Sequence, residues 1–460
     1  MNNFEYVQKI ETLNNGFFAE NARKPTMFIQ TFGCQMNERE SEKLNALLLA
    51  MGYLESPNEE DADLVLYNTC CVREKAETKI FGKLGSLKSQ KKSQPNKIIA
   101  LCGCMPQRPE VIAEINAHYK HIDIIFGTFN KYSFPRLLYQ RLTTGNRTIE
   151  ILTEHAETTE EEFSAFTAIE NSTTRFLPHK AGITIMHGCN NFCAYCIVPY
   201  VRGREKSRTI PEVLAEITAL VSDGVKEILL LGQNVNSYAY GFAELIRQAN
   251  AIPNLARIRF MTSHPKDLSD ELIAAIRDCE KVCKHIHLPM QAGSSRILQA
   301  MNRGYTKEQY LALTAKLKNA VPNIKITTDI IVGFPGETEE DFADTLDAVK
   351  LADFAGAFTF LYSKRSGTPA ADLTNIIPKN TAKERFNRLV SLVNSLQLAH
   401  NQSYIGTTAA VMADTATSGR TDANVLVHFE VDNPAKITPG DILQVKITDC
   451  QTFYLKGRAE

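Results

Sequence analysis

Long hydrophobic runs are missing from this 460-residue sequence. No stretch approaches the roughly 20 apolar residues a membrane helix needs, so no membrane partner is expected. The start, MNNFEYVQKIETLNNGFF, has no basic region followed by an apolar run, which argues against a secretory signal. A surplus of charge is also missing: 51 basic and 52 acidic residues leave a net −1, and the isoelectric point is about 6.8. Any nucleic acid must therefore be held by local patches, not by bulk charge. No long internal repeat or low-complexity tract appears. What remains, 44% hydrophobic and 22% charged residues, is the composition of a globular protein with ample core, and the length predicts two to four domains. The expected location is cytoplasmic. There, eleven cysteines point to metal ligation or redox chemistry rather than disulfides.

Two basic patches stand out. Between Thr78 and Pro109 lie six lysines, Arg108 and no carboxylate, and in VRGREKSR the residues Arg202, Arg204, Lys206 and Arg208 outweigh Glu205. A solvated face is the commoner meaning of such runs.

Strand and helix patterns alternate over residues 25–147. TMFIQTF, DLVLYNT, KIIALCG and IDIIFG are short, apolar and closed by turn residues, with helical patterns between them. That order predicts a parallel α/β domain. Residues 1–24 form a leader, and residues 148–174, with seven glutamates and no lysine or arginine, an acidic linker. Over 175–396 six further strands are predicted: 181–187, EILLLG, ARIRFMT, CKHIHLP, KITTDIIVGF and GAFTFLY. Six βα units are two short of a closed TIM barrel, which predicts a partial (β/α)6 barrel with a lateral opening. Within residues 397–460, once a long helix ends near Tyr404, alternating strands without a helix predict a small OB-like β-barrel.

The cysteines carry the chemistry. Cys189, Cys193 and Cys196 form a CxxxCxxC motif just past the first strand of the second series. A structural zinc ion normally takes four ligands, often as two CxxC pairs, and no second pair lies nearby. Three thiolates that leave one iron of a cubic cluster open suit the spacing better. Cys34, Cys70 and Cys104 each follow a different strand of the first series, where a parallel sheet gathers its carboxyl ends. Gly33 and Gly103 would let the backbone approach a cluster closely. From the residues alone, Cys71 competes with Cys70, while Cys102 ends an apolar run and is expected to face the sheet packing. Cys279, Cys283 and Cys450 are expected in cores.

CNNFCAYC on the first strand of a six-unit barrel resembles the radical S-adenosylmethionine enzymes. The resemblance implies a 4Fe-4S cluster on Cys189, Cys193 and Cys196 whose open iron binds S-adenosyl-L-methionine and yields a 5′-deoxyadenosyl radical. It places Gly232, Gln233 and Asn234 of LLLGQN at the methionine amino group and Gly333 of IIVGFPGET on the adenine side. TFGCQMN, NTCxVRE and GCMxQR further resemble the methylthiotransferases, which implies an auxiliary 4Fe-4S cluster on Cys34, Cys70 and Cys104 and excludes Cys71 and Cys102. IVPYVRGREKSR, LLGQNVNSY, TSHPKDL and GRTDAN are similar to the MiaB-type tRNA methylthiotransferases, with a C-terminal TRAM domain. Departures are Pro106, Cys71 and Ser366.

The resemblance implies methylthiolation of adenine C2 in the dimethylallyladenosine beside the tRNA anticodon. Another tRNA adenosine (the threonylcarbamoyl type) or a ribosomal aspartate is the alternative substrate, and a zinc-binding RNA protein the non-enzymatic one. Implied partners are tRNA, an electron donor such as flavodoxin or ferredoxin, and proteins that supply sulfur and clusters. Arg202, Arg204, Arg208, Arg365 and Arg420 are the expected RNA contacts.

Overall fold

The computed structural model describes the chain apart from residues 1–2, 72–73, 155–164, 167, 170–174 and 176. Two compact units emerge. The first comprises residues 1–176 with 197–204, and the second 177–196 with 205–460.

The first unit is built on six parallel strands: β1 (Thr26–Thr31), β2 (Leu54–Glu55), β3 (Leu64–Thr69), β4 (Ile98–Gly103), β5 (Ile124–Phe126) and β6 (Thr148–Glu150), in the order β2-β1-β3-β4-β5-β6. β3 and β4 are buried along their whole length, as expected where helices cover both faces of a parallel sheet. Alternation then sorts their side chains. Leu64, Leu66, Ala100 and Cys102 enter one apolar cluster, and Val65, Tyr67, Ile99 and Leu101 the other. Because β1 lies between β2 and β3, the loops leaving β1 and β3 part company at a switch point, where such sheets open a crevice.

Three expectations need correction here. Residues 1–24 are not a leader apart from the domain: Glu5–Asn21 is a helix that buries Val7 and Ile10 in the cluster holding Leu44, Leu47 and Leu48. The linker starts too early, since Thr148–Glu150 is the sixth strand. Phe166, within the acidic stretch, is fully buried and stacks on Tyr132 at 4.5 Å between ring centroids; most of that stretch lies outside the described residues. The lysine patch is partly structural. Lys97 is buried and donates to the carbonyls of Glu59 and Glu60, while Lys91 pairs with Asp123 at 2.8 Å.

The second unit starts with β7 (Lys180–Thr184). A short β8 (Met186–His187) pairs antiparallel with β9 (Lys206–Ser207). β10 (Glu227–Leu231), β11 (Arg257–Phe260), β12 (His285–His287), β13 (Lys325–Val332) and β14 (Gly356–Leu361) complete the series. Parallel ladders join β7-β10-β11 and β12-β13-β14, and an Ile258–Val282 bridge links the two sets. Among the described residues no ladder joins β14 back to β7. This is the expected six-unit partial barrel.

After the helix Lys379–Gln402, β15 (Thr408–Thr415), β16 (Ser418–Thr421), β17 (Leu426–Glu430), β18 (Ile442–Cys450) and β19 (Tyr454–Ala459) close a five-stranded barrel. It is latched to the starting ends of β7, β10 and β11. Arg259, 8% exposed, donates to Glu227 and to the carbonyls of Thr421 and Asp422 at 2.7–3.0 Å. Arg257 donates to the carbonyls of Arg420 and Ala410. Removing one partner of a buried charged network costs about 3 kcal/mol or more. Arg259→Ala is therefore expected to speed amide hydrogen exchange throughout β15–β19 while β12–β14 stay protected. Unchanged exchange in the small barrel would show that the latch contributes little.

Candidate functional site

In the first unit, the three expected cysteine loops leave the carboxyl ends of β1, β3 and β4. Cys34 caps the helix Gln35–Ala50 and is solvent-exposed, whereas Cys70, Cys71 and Cys104 are buried. Gly33 is at φ +115°, and a Cβ there would lie 2.7 Å from the Cys70 sulfur. At Gly103 (φ +95°) a Cβ would strike the Thr69 carbonyl at 2.3 Å. These glycines thus let the strand ends close on one another, a more local reason than the approach of a cofactor. Asn37 ties the same ends together, donating to the carbonyls of Phe32 and Thr69 at 2.9 Å each.

Cys71 is closer to the chemistry than expected. Its sulfur neighbours that of Cys104, and their mutual interaction lowers the Cys104 pKa and, together with burial, raises that of Cys71. The charge of Arg202 lowers Cys104 further. Cys102 behaves as expected: it sits in the apolar packing, and burial pushes its thiol well up.

Arg202 is a correction. It was expected on an RNA-facing surface, but it is 4% exposed and belongs to this cysteine site. The five-residue helix Val198–Arg202 packs in the first unit, with Ile197 and Val201 against Cys71 and Cys104. Arg202 Nε donates to Cys104 Sγ at 3.2 Å, Nη2 to Asn37 Oδ1 at 2.7 Å and Nη1 to Glu40 Oε1 at 3.0 Å.

In the second unit, Cys189, Cys193 and Cys196 occupy the loop after β8. Gly188 (φ +74°) and Phe192 (φ +45°) wind that loop, and the Cys196 N–H donates to the Cys193 carbonyl. The barrel braces it. Ala194 N–H donates to the Met301 carbonyl, Ala370 N–H to the Ala194 carbonyl, and Asn302 to the carbonyls of Asn191 and Phe192. Arg303, 5% exposed, donates from Nη1 to Cys193 Sγ at 3.3 Å and from Nη2 to the Pro289 carbonyl at 3.0 Å. Burial raises the Cys189 pKa. Cys279 and Cys450 enter apolar cores and Cys283 is 1% exposed, as expected.

Of the residues expected at S-adenosylmethionine, Gly232 follows β10, where a Cβ would meet Met186 at 2.6 Å, and Gln233 is half-buried beside it. Asn234 is 1% exposed, and its carboxamide donates to Asp267 at 2.7 Å and accepts from the His264 N–H at 3.1 Å. It holds two loops together. Gly333 (φ +78°) donates to Glu337, which pairs with Arg385 at 3.0 Å.

Sequence reasoning missed the polar groups after β10 and β11. Ser263 Oγ, Asn236 Oδ1 and His264 Nε2 are buried and lack a hydrogen-bond partner. Burial, then the charges of Arg303 and Lys266, push the His264 pKa down to about 2, so its ring is neutral. Since Nδ1 accepts from the Lys266 N–H, the proton sits on Nε2 and that donor is the open one. TSHPKDL alone carried no signal for this, and neither did Arg303 in MNRGYT.

The other expected RNA contacts divide. Arg204 is exposed. Arg208 is turned inward onto Glu216 and the carbonyls of Thr184 and Glu212. Arg365 is buried in the turn after β14. Arg420 donates to the Asn424 carbonyl, and its own carbonyl serves the latch.

Among the described residues no three metal-binding side chains gather round one point. Thiolates that each bind a different iron of a cubic cluster need not do so, and the soft sulfur donors suit such clusters. The open buried polar atoms after β10 and β11 likewise fit a polar ligand at the barrel's carboxyl ends.

Residues 26–127 match the uncharacterized protein family UPF0004, residues 183–349 the radical SAM superfamily, and residues 414–459 the TRAM domain. The tRNA-2-methylthio-N(6)-dimethylallyladenosine synthase of Acetivibrio thermocellus is 49% identical, covering 98% of this chain and 94% of its own length. Those of Alkaliphilus oremlandii and Clostridioides difficile are 48% and 47% identical, each over 98% of this chain and 95% of theirs. The chain belongs to this synthase family. As a member, it uses S-adenosylmethionine and two 4Fe-4S clusters. A solved radical S-adenosylmethionine methyltransferase, TsrM of Kitasatospora setae, is 15% identical, with a TM-score of 0.55 over 75% of this chain and 74% of that one, and shares the fold.

Proposed function

We propose that this protein methylthiolates C2 of N6-dimethylallyladenosine beside the tRNA anticodon, with Cys189, Cys193 and Cys196 holding the radical cluster and Cys34, Cys70 and Cys104 the auxiliary one. The observation that carries the reading is the placement of two cysteine triads at the carboxyl ends of two separate parallel sheets, in a chain this close to the synthases. When bound, the clusters and S-adenosylmethionine supply a carbon radical able to take the unactivated C2 hydrogen and the sulfur and methyl group that replace it. The chain supplies placement. Arg303 fixes the Cys193 sulfur, and the neutral His264 offers its Nε2–H, with Ser263 Oγ, to a polar group at the barrel mouth.

A base in a single-stranded loop is cheap to unstack, and the absence, among the described residues, of a ladder between β7 and β14 leaves it a lateral path. A flavodoxin or ferredoxin as reductant, sulfur- and cluster-supplying proteins, and a cytoplasmic location go with this reading.

Mass spectrometry of tRNA nucleosides tests it. Cells lacking this chain should accumulate dimethylallyladenosine without the methylthio group and recover it on re-expression. In the purified reaction, tRNA lacking the dimethylallyl group should react poorly. Equal rates on both tRNAs, or a methylthiolated ribosomal protein instead, would refute the substrate assignment.

A further inference from the structure

Arg202 lies in a motif whose basic residues suggest RNA, yet its guanidinium is spent inside the first unit. We propose that Arg202 is a positioning residue for the cluster on Cys34, Cys70 and Cys104, setting that cluster's reduction potential through the Cys104 sulfur. The proposal rests on that ligand assignment.

The fork geometry supports it. An ion pair with Glu40 alone would occupy one edge of the guanidinium. Here the three nitrogens engage Cys104, Glu40 and Asn37, and Nε is the one aimed at the cysteine sulfur. The partners are rigid: Asn37 is pinned to the ends of β1 and β3, and Glu40 lies one turn further along the same helix. Such a planar, multi-donor fit is one that lysine cannot reproduce. The segment is held as well as the side chain. Thr128 Oγ1 donates to the Val201 carbonyl at 2.7 Å, and the Phe129 ring would lie 3.3 Å from any Cβ at Gly203, the turn that ends the short helix. In sequence this segment starts immediately after Cys196, so one stretch of chain supplies the last cysteine of one triad and the arginine of the other.

A hydrogen bond and a positive charge at a cluster thiolate favour the reduced, more negative cluster and so raise its potential. Outer partners of this kind also help hold the metal group.

The test uses the full chain with Cys189, Cys193 and Cys196 all changed to Ala, so that only the cluster of the first unit is reconstituted. Iron is counted, and the reduced cluster is followed by electron paramagnetic resonance during a redox titration, in the parent and in Arg202→Gln and Arg202→Lys. Arg202→Gln is expected to keep its iron but, at the solution potential that half-reduces the parent, to hold at least tenfold less reduced relative to oxidised cluster, about 59 mV for a one-electron couple. Arg202→Lys should fall between the two. An unchanged potential in Arg202→Gln overturns the proposal. If Arg202→Gln loses its iron, Arg202→Lys decides: a lowered potential supports the proposal, whereas an unchanged potential, or loss of iron there too, leaves only a structural role and overturns it. A parent that binds no iron at all refutes the ligand assignment itself, and this proposal with it.

Discussion

Cys193→Ala protein, purified and assayed without oxygen, is expected to form no detectable 5′-deoxyadenosine from S-adenosylmethionine, while keeping the iron of one cluster. The cysteine loop does not need its thiols to hold its shape. Its backbone is held by Met301, Asn302 and Ala370, groups that do not depend on the cysteine side chains, so the loop should survive the change. What is lost is one thiolate, and with it an acceptor of the buried Arg303, which still keeps the Pro289 carbonyl and the hydroxyls of Tyr195 and Tyr305. Folding should therefore be only mildly affected, and the loss should read as chemistry. Cys189→Ala and Cys196→Ala should behave alike. Their sulfurs face different surroundings, since Cys196 is partly open to solvent and Cys189 is buried, so a shared phenotype would come from a shared ligand and not from shared packing. Normal 5′-deoxyadenosine formation by all three variants would refute the radical assignment.

The fold was legible in the sequence because each strand is a short apolar run closed by a turn, and in parallel sheets buried on both faces that pattern is nearly continuous. KIIALCG and DLVLYNT show it directly. Cys34, Cys70, Cys104 and Cys189 were legible for the same reason: each follows a short apolar run closed by a turn, so a place at the end of a strand was expected. What stayed hidden has local causes. β6 is three residues long and carries two polar side chains, too short to rise above the acidic stretch that follows it. The helix Glu5–Asn21 buries only Val7, Ile10 and Asn14, a stripe too thin to separate from a solvated leader.

The charged residues misled most, since periodicity is silent on where an arginine ends. Arg202, Arg208 and Arg259 are ordinary basic residues in sequence, and each is bound to a carboxylate and to main-chain or sulfur acceptors brought from elsewhere in the fold. The same holds for Asn234, whose two partners lie 33 and 30 positions away. Long-range hydrogen bonding decides these roles, and no local pattern records it.

Cys70 and Cys71 pose the sharpest test of the remaining assignment. Cys70→Ala should lose the auxiliary cluster and all sulfur insertion, whereas Cys71→Ala should keep the iron and lose no more than about tenfold in rate, the lower end for an outer partner. Both thiols are buried at the end of β3, but they meet different neighbours. The Cys70 sulfur lies over Gly33, directly before Cys34 in the chain. Cys71 instead packs with Cys104, Ile197 and Val201. If Cys34, Cys70 and Cys104 are the ligands, Cys71 remains a packing neighbour of one of them. Its removal then opens a small apolar gap beside that ligand. Cys34→Ala and Cys104→Ala should match Cys70→Ala, and all three should still cleave S-adenosylmethionine, because the other triad sits on a separate sheet. Each variant would have its iron counted and its 5′-deoxyadenosine and methylthiolated tRNA measured separately. Iron kept in Cys70→Ala and lost in Cys71→Ala would reverse the choice between the two neighbours. Sulfur insertion at the normal rate by Cys104→Ala would mean that the first unit does not carry the sulfur at all.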